Sequence, residues 1–239
     1  MTKLYILKVE SANGNSIYPV VLEDERDVVL FDCGYPGYLP NVKAAAEKAR
    51  VDLAGLTRIV ITHHDFDHIG ALAEFKAAYP QVKVYASEEQ APYIAGEKKS
   101  LRLQQFEAKY DSLPDEQKEG SRRVQAMFAS VKPVEVDVVV NANEVLHFCG
   151  GIKIIPTPGH MPGHISPYLQ EFKTLVSGDA LTARDGILGS PNIDYTLDIA
   201  AAMKSVQSLL NYDIEKIVCY HGGVCVGDIK AALTRVINN

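Results

Sequence analysis

The chain has 239 residues, 47% of them hydrophobic, a formal net charge of −6 and a pI near 5.6. That length carries one large or two small domains with a substantial core, and the acidic balance argues against a nucleic-acid partner, which would need a basic face. The opening M-T-K-L-Y-I-L-K-V-E is too short an apolar run for a signal peptide, and no stretch nears the ~18 apolar residues of a membrane span. Cys33, Cys149, Cys219 and Cys225 lack C-x-x-C spacing, so reduced thiols, a cytoplasmic location and no membrane partner are expected.

Apolar and β-branched runs predict strands at 4–9, 17–22 and 28–31, with a turn at Asn13-Gly14 between the first two. An Ala- and Lys-rich helix is expected over 41–50. A strand at 59–61 delivers Thr62-His63-His64-Asp65-Phe66-Asp67-His68, and an amphipathic helix over 69–78 begins where this cluster ends. One more strand is expected at 82–85. From Glu88 to Val131 the strand signal vanishes and charge rises, which predicts helices over 88–97, 101–110 and 116–128. This insertion reads either as packing on the outside of a sheet or as a cap over a site. Strands return at 136–140, 145–148, 152–155, 165–169 and 175–176, then a helix over 197–210, a strand running to His221 and a closing helix over 229–237. The alternation is α/β, and without a linker the expectation is a single domain over 1–239 with 88–131 inserted.

The cluster after the 59–61 strand is poor core material, because each imidazole and carboxylate would need a partner if buried. One divalent metal, or two, could serve them together. Further groups of the same chemistry come in order, each after a predicted strand and beside glycine: Pro158-Gly159-His160, Ser177-Gly178-Asp179 and Tyr220-His221-Gly222-Gly223.

This ordered set resembles the metallo-β-lactamase-fold hydrolase superfamily, whose motif is H-x-[HED]-x-D-H followed by His, Asp and His. The resemblance covers nearly the whole chain and implies a four-layer αββα sandwich. It implies a first metal held by His63, Asp65 and His160, a second held by Asp67, His68 and His221, and Asp179 as the bridge. The implied cofactors are two divalent ions, zinc first, with manganese or iron as alternatives. Asp67 doubles as the catalytic proton shuttle. Asp32, in L-F-D-C-G, resembles the family's L-[IV]-D-[TA]-G and implies a hydrogen bond to a loop or to a ligand histidine. His64 lies between His63 and Asp65 and should point away from both, into a structural hydrogen bond. His164 reads as structural, His147 as a residue without a role, and Cys225 as a small buried hydrophobe.

Most of these hydrolases have His where this chain has Asp65. A third carboxylate lowers the site charge and favours harder ions than zinc, and a diiron redox branch of the superfamily has Glu there. The resemblance implies a hydrolase in which a metal-bound hydroxide attacks a small ester, lactone or thioester. β-Lactamases use Cys where Asp179 stands, and hydroxyacylglutathione hydrolases carry a C-terminal helical domain not expected here. Acyl-homoserine lactonases share the layout but have Tyr where Thr182 stands. Tyr93, Thr182 and Tyr195 are the candidates for lining the pocket. The expected partner is a small-molecule substrate, with a homodimer allowed. The rivals are a diiron redox protein with its electron donor in trans, supported by Asp65 alone, and a metal-binding sensor without turnover.

Overall fold

The computed structural model describes residues 1–10, 14 and 16–238. In chain order the first half runs β1 (Lys3–Ile6), β2 (Val9–Glu10), β3 (Ser16–Ile17), β4 (Val20–Glu23), β5 (Val28–Phe31), α1 (Leu39–Lys48), β6 (Leu56–Val60), α2 (Phe66–Ile69), α3 (Leu72–Ala78) and β7 (Lys83–Ser87). The insertion contributes α4 (Ala91–Ile94), α5 (Leu101–Tyr110) and α6 (Asp115–Ala129), and β8 (Val138–Val140) follows. The second half runs β9 (Val145–Leu146), β10 (Ile152–Pro156), β11 (Ile165–Leu169), β12 (Thr174–Gly178), β13 (Thr182–Arg184), β14 (Ile187–Gly189), α7 (Ile199–Ser208), β15 (Lys216–Cys219), β16 (Gly223–Val226) and α8 (Ile229–Asn238).

Two six-stranded sheets result, in the orders β1-β4-β5-β6-β7-β8 and β16-β15-β12-β11-β10-β9. The strands β5 to β8 run parallel, as do β12 and β15, while the other pairings of these sheets are antiparallel. Side chains alternate across each strand, and so each sheet has two apolar faces to cover. In β5, Val29 and Phe31 enter the core between the sheets, where Val60, Ile152, Ile154, Val176 and Val218 meet them. Val28 and Leu30 point outward, toward Val42 of α1 and Leu72 and Phe75 of α3. On the far side, Ile217 and Cys219 of β15 meet Val206 of α7 and the α8 stripe Ile229, Ala232, Leu233 and Val236, whose spacing is helical. Three buried clusters between four layers make the αββα sandwich. No helix of the described residues is long and apolar enough to cross a membrane.

Several elements differ from expectation for identifiable reasons. The 17–22 strand is two pieces, β3 and β4, because Pro19 has no N–H to give a ladder. The 4–9 strand is likewise split, with β1 ending at Ile6 and β2 beginning at Val9. The 69–78 helix starts at Leu72, and α2 takes Asp67 and His68 into a helical turn of their own. Gly70 lies between them, where a Cβ would collide with the Pro36 backbone nitrogen. The 88–97 helix shrinks to α4, which begins beside Pro92 and stops at Gly96, whose φ is 74°. The short strands β13, β14 and β16 carry no alternation long enough to read as strands. Asn13 of the expected Asn13-Gly14 turn lies outside the described residues.

Candidate metal centre

Every candidate ligand lies just past the C-terminal end of a strand. The Thr62–His68 stretch follows β6, His160 follows β10, Asp179 follows β12 and His221 follows β15, while Asp32 stands in the same way at the end of β5. Glycines bring these loops close. Beside His160, Gly159 has φ 135°, and a Cβ there would collide with the Ala202 backbone nitrogen of α7. Beside His221, Gly222 has φ 103°, and a Cβ would collide with the Ala183 carbonyl oxygen. No other residue could hold either backbone without a shift.

The seven side chains converge. His160 Nε2 lies 3.1 Å from Asp65 Oδ2 and 3.6 Å from Asp179 Oδ2, and His63 Nε2 lies 3.6 Å from Asp65 Oδ2. On the other side, His221 Nε2 lies 3.0 Å from Asp67 Oδ2, and Asp179 Oδ1 lies 3.3 Å from His68 Nε2 and 3.6 Å from His221 Nε2. Three sets of donor atoms are close enough to share an ion: His63, Asp65 and His160; Asp67, His68 and His221; and His63, His68 and Asp179. All but Asp179 and His221 are buried, and His221 keeps about a third of its side chain exposed, at 34%.

The rings are oriented from behind. Asp32 Oδ1 accepts the Thr62 backbone N–H at 2.9 Å, and Oδ2 accepts the Thr62 hydroxyl and His68 Nδ1, each at 2.9 Å. With its proton given to Asp32, the Thr62 hydroxyl accepts from His63 Nδ1 at 3.0 Å. Both imidazoles are thereby held with Nε2 toward the cavity. Asp32 does this from a left-handed backbone, φ 56°, which Asp tolerates better than most residues. His164 Nε2 accepts the Asp179 backbone N–H at 3.1 Å, and its Nδ1 meets the Thr157 hydroxyl at 2.8 Å. Burial drives the His164 pKa down to about 3, which keeps the ring neutral.

Burial also drives His63 well below the ordinary imidazole value, and the neighbouring His68 adds to this. Burial opposes a charged His68 as well, but the carboxylates of Asp32, Asp179 and Asp67 outweigh it and hold its pKa well above the usual one. Burial would raise Asp65 and Asp179. The hydrogen bond from His160, with the charge of Arg102, nevertheless keeps Asp65 well below the carboxylate range, and the charges of His221 and His68 do the same for Asp179. Both carboxylates are ionised and answered by the imidazoles around them.

His64 points elsewhere. Its backbone N–H and Nδ1 both meet Gln90 Oε1, at 2.7 and 2.6 Å, while its Nε2 accepts the Leu101 N–H at 3.3 Å. Tyr93 stacks on the His64 ring, centroids 4.3 Å apart, so its ring is spent on His64. Thr182 gives its hydroxyl to Ser190 O across the β13–β14 hairpin at 2.8 Å. Tyr195 is half-exposed in the Ile193–Tyr195 turn, with the Arg102 guanidinium 5.7 Å from its ring centre. His147 is exposed, and Cys225 is buried in β16.

Sequence reasoning missed Gln90, Arg102, Tyr220 and Tyr35. Gln90 is fully buried, and its Nε2 donates to Pro162 O, which ties the insertion to the His160 loop. Arg102 reaches Asp65 from α5. Tyr220 donates its hydroxyl to Asp67 O at 2.7 Å. Tyr35 has its phenol pKa raised, by burial first and then by the charge of Asp67. Tyr220 alone had a signal, its place beside His221; Gln and Arg in a polar helical stretch read as surface.

A family model described as the metallo-beta-lactamase superfamily matches residues 12–221. The probable metallo-hydrolase YflN of Bacillus subtilis (strain 168) is 26% identical over 251 residues, covering 97% of this chain and 89% of that protein. A hydroxyacylglutathione hydrolase of Synechococcus sp. (strain JA-2-3B'a(2-13)) is 27% identical over 180 residues, 74% of this chain and 53% of that protein. Among solved structures, a metallo-beta-lactamase family protein from Thermus thermophilus has a TM-score of 0.76 at 20% identity, covering 98% of this chain and 78% of that one. At that identity the likeness concerns the fold.

Proposed function

Since the chain belongs to the metallo-β-lactamase superfamily, we propose that it is a dinuclear metal-dependent hydrolase of small ester-type substrates: thioesters first, then esters and lactones. The observation that carries this is a set of buried, unpartnered donor atoms brought together: His63 Nε2, His68 Nε2 and Asp179 Oδ1. Leaving each of them unpaired would cost about 1–3 kcal/mol or more. A divalent ion removes that cost, and so the residues fit the group. His63, Asp65 and His160 would hold one ion, Asp67, His68 and His221 the other, and Asp179 both. Nitrogen and carboxylate oxygen without thiolate suit zinc, and also manganese or iron.

When bound, such ions supply Lewis acidity to a substrate carbonyl and to water. The protein does the rest. Asp32 and Thr62 keep the His63 and His68 rings aimed. Asp67, its backbone carbonyl held by Tyr220, sits beside the half-open His221 and is placed to carry a proton to the leaving group. The insertion supplies one wall: Phe106 and Phe128 pack on each other with ring centroids 5.9 Å apart, and Phe128 lies 4.7 Å from the Phe66 ring. We read it as a cap. The hydroxyacylglutathione hydrolases among the relatives support the thioester preference.

The test is metal analysis of the purified protein, then a screen of thioesters, esters and lactones after reconstitution with Zn²⁺, Mn²⁺ or Fe²⁺. Metal-dependent turnover of one class is expected. Stoichiometric iron with an optical band and no hydrolysis would favour a redox role. Two bound ions and no turnover in any class would favour a sensor.

A further inference from the structure

Arg102, in the first turn of α5, is 2% exposed. A guanidinium cannot shed its charge, so burial demands an anion; the Nε of Arg102 is buried without a partner, and the two Nη groups make its contacts. Its Nη2 lies 3.1 Å from Asp65 Oδ2 and also donates to Tyr195 O, while Nη1 donates to Gln105 Oε1 at 3.0 Å. The two oxygens of Asp65 are divided by this contact. Oδ2 takes both Arg102 Nη2 and His160 Nε2, each at 3.1 Å, and Oδ1 is buried with no partner. Rotation of the carboxylate would break both contacts at once.

We propose that Arg102 is a positioning residue for the metal site. It pins Asp65 through Oδ2, the oxygen that also faces His160 Nε2 and His63 Nε2, and offsets one of the three carboxylate charges that Asp65, Asp67 and Asp179 bring together. A neutral imidazole at position 65 would need no such cation, and beside a divalent ion an unpaired guanidinium would repel it. Asp65 and Arg102 therefore form a unit, and neither residue is replaceable alone. The same guanidinium joins the insertion to the Tyr195 turn, so one contact serves both the ligand and the wall of the cavity. This rests on the metal-dependent reading above.

The experiment measures Zn²⁺ and Mn²⁺ stoichiometry and affinity, by competition with a chromophoric chelator, for the whole chain and for R102M, R102K, D65H and D65H/R102M. R102M should weaken one bound equivalent by about 10–100-fold, the range for losing a group that orients a ligand. R102K keeps the charge without the planar fork and should fall between R102M and the unaltered protein. D65H should lose more affinity than the double variant D65H/R102M, a rescue that a merely structural arginine would not produce. If R102M fails to fold, R102K against the unaltered protein decides the matter: a weakened equivalent supports the role of Arg102 and an equal affinity overturns it. Equal affinities for R102M and the unaltered protein, or for D65H and D65H/R102M, overturn the role of Arg102 and leave the metal reading standing. An unaltered protein that binds neither ion overturns that reading and this proposal with it.

Discussion

Asp32 Oδ2 accepts the Nδ1 hydrogen of His68 at 2.9 Å, with both side chains fully buried. Asp32 also holds Thr62 through two bonds, and Thr62 in turn holds His63. One carboxylate at the end of β5 thus orients two imidazoles delivered by the loop after β6. Asp32→Asn keeps the size and loses the charge. It should weaken metal binding by about 10–100-fold, as other losses of ligand-orienting groups do. Chelator competition measures it, and unchanged affinity would remove Asp32 from the site.

Asp67 faces His221 on the half-open side of the cluster, away from His63 and His160. Asp67→Ala should abolish turnover while the protein still takes up one equivalent of metal. Elemental analysis beside kinetic assays of the screened substrates checks this. Rates near those of the unaltered protein would exclude Asp67 as the proton carrier.

His64 fastens the insertion. Its Nε2 takes the Leu101 N–H at the start of α5, its Nδ1 meets Gln90, and Tyr93 covers its face. His64→Leu leaves the Leu101 N–H without its partner, at about 1–3 kcal/mol, while Gln90 Oε1 keeps the backbone N–H of residue 64. Metal stoichiometry should hold. Amide exchange over 101–110 should quicken, and preference among acyl substrates should broaden. Exchange as slow as before would mean that the insertion docks without His64.

Asp137 closes the return from the insertion into the first sheet. Its Oδ2 accepts the Val84 N–H at 2.8 Å and Lys76 Nζ at 2.9 Å. Partial burial works to raise its pKa, but the Val84 N–H and Lys76 prevail and the pKa is lowered. A folded pKa below the unfolded one means stability that is present above the ordinary carboxylate value of about 4 and lost as pH falls through the folded value. Asp137→Asn should therefore cost about 1 kcal/mol at neutral pH, the low end for a hydrogen-bonded charge because the group is partly exposed. The cost should vanish at about pH 2. Urea titrations at both pH values test it, and a cost independent of pH would rule out the charge as its origin.

The sequence by itself determined the α/β class and the order of the candidate ligands. Both are local: strand runs alternate with helical ones, and each cluster directly follows an apolar run beside glycine, as in Pro158-Gly159-His160 and Tyr220-His221-Gly222. It also placed α5 to the residue and the ends of β11, where periodicity is uninterrupted. Only the tertiary structure decided what each ligand leans on. Gln90 and Arg102 read as ordinary polar helix residues, because nothing local distinguishes an arginine facing water from one facing Asp65, which lies 37 positions earlier in the chain. Their burial depends on where α4 and α5 dock, and docking is set by contacts distant in sequence. The split of the 69–78 helix has the same origin, since Gly70 is needed only where the chain passes against Pro36. Spacing along the chain records which groups a strand end carries, and packing between elements decides which of their atoms are already satisfied and which are left for an ion.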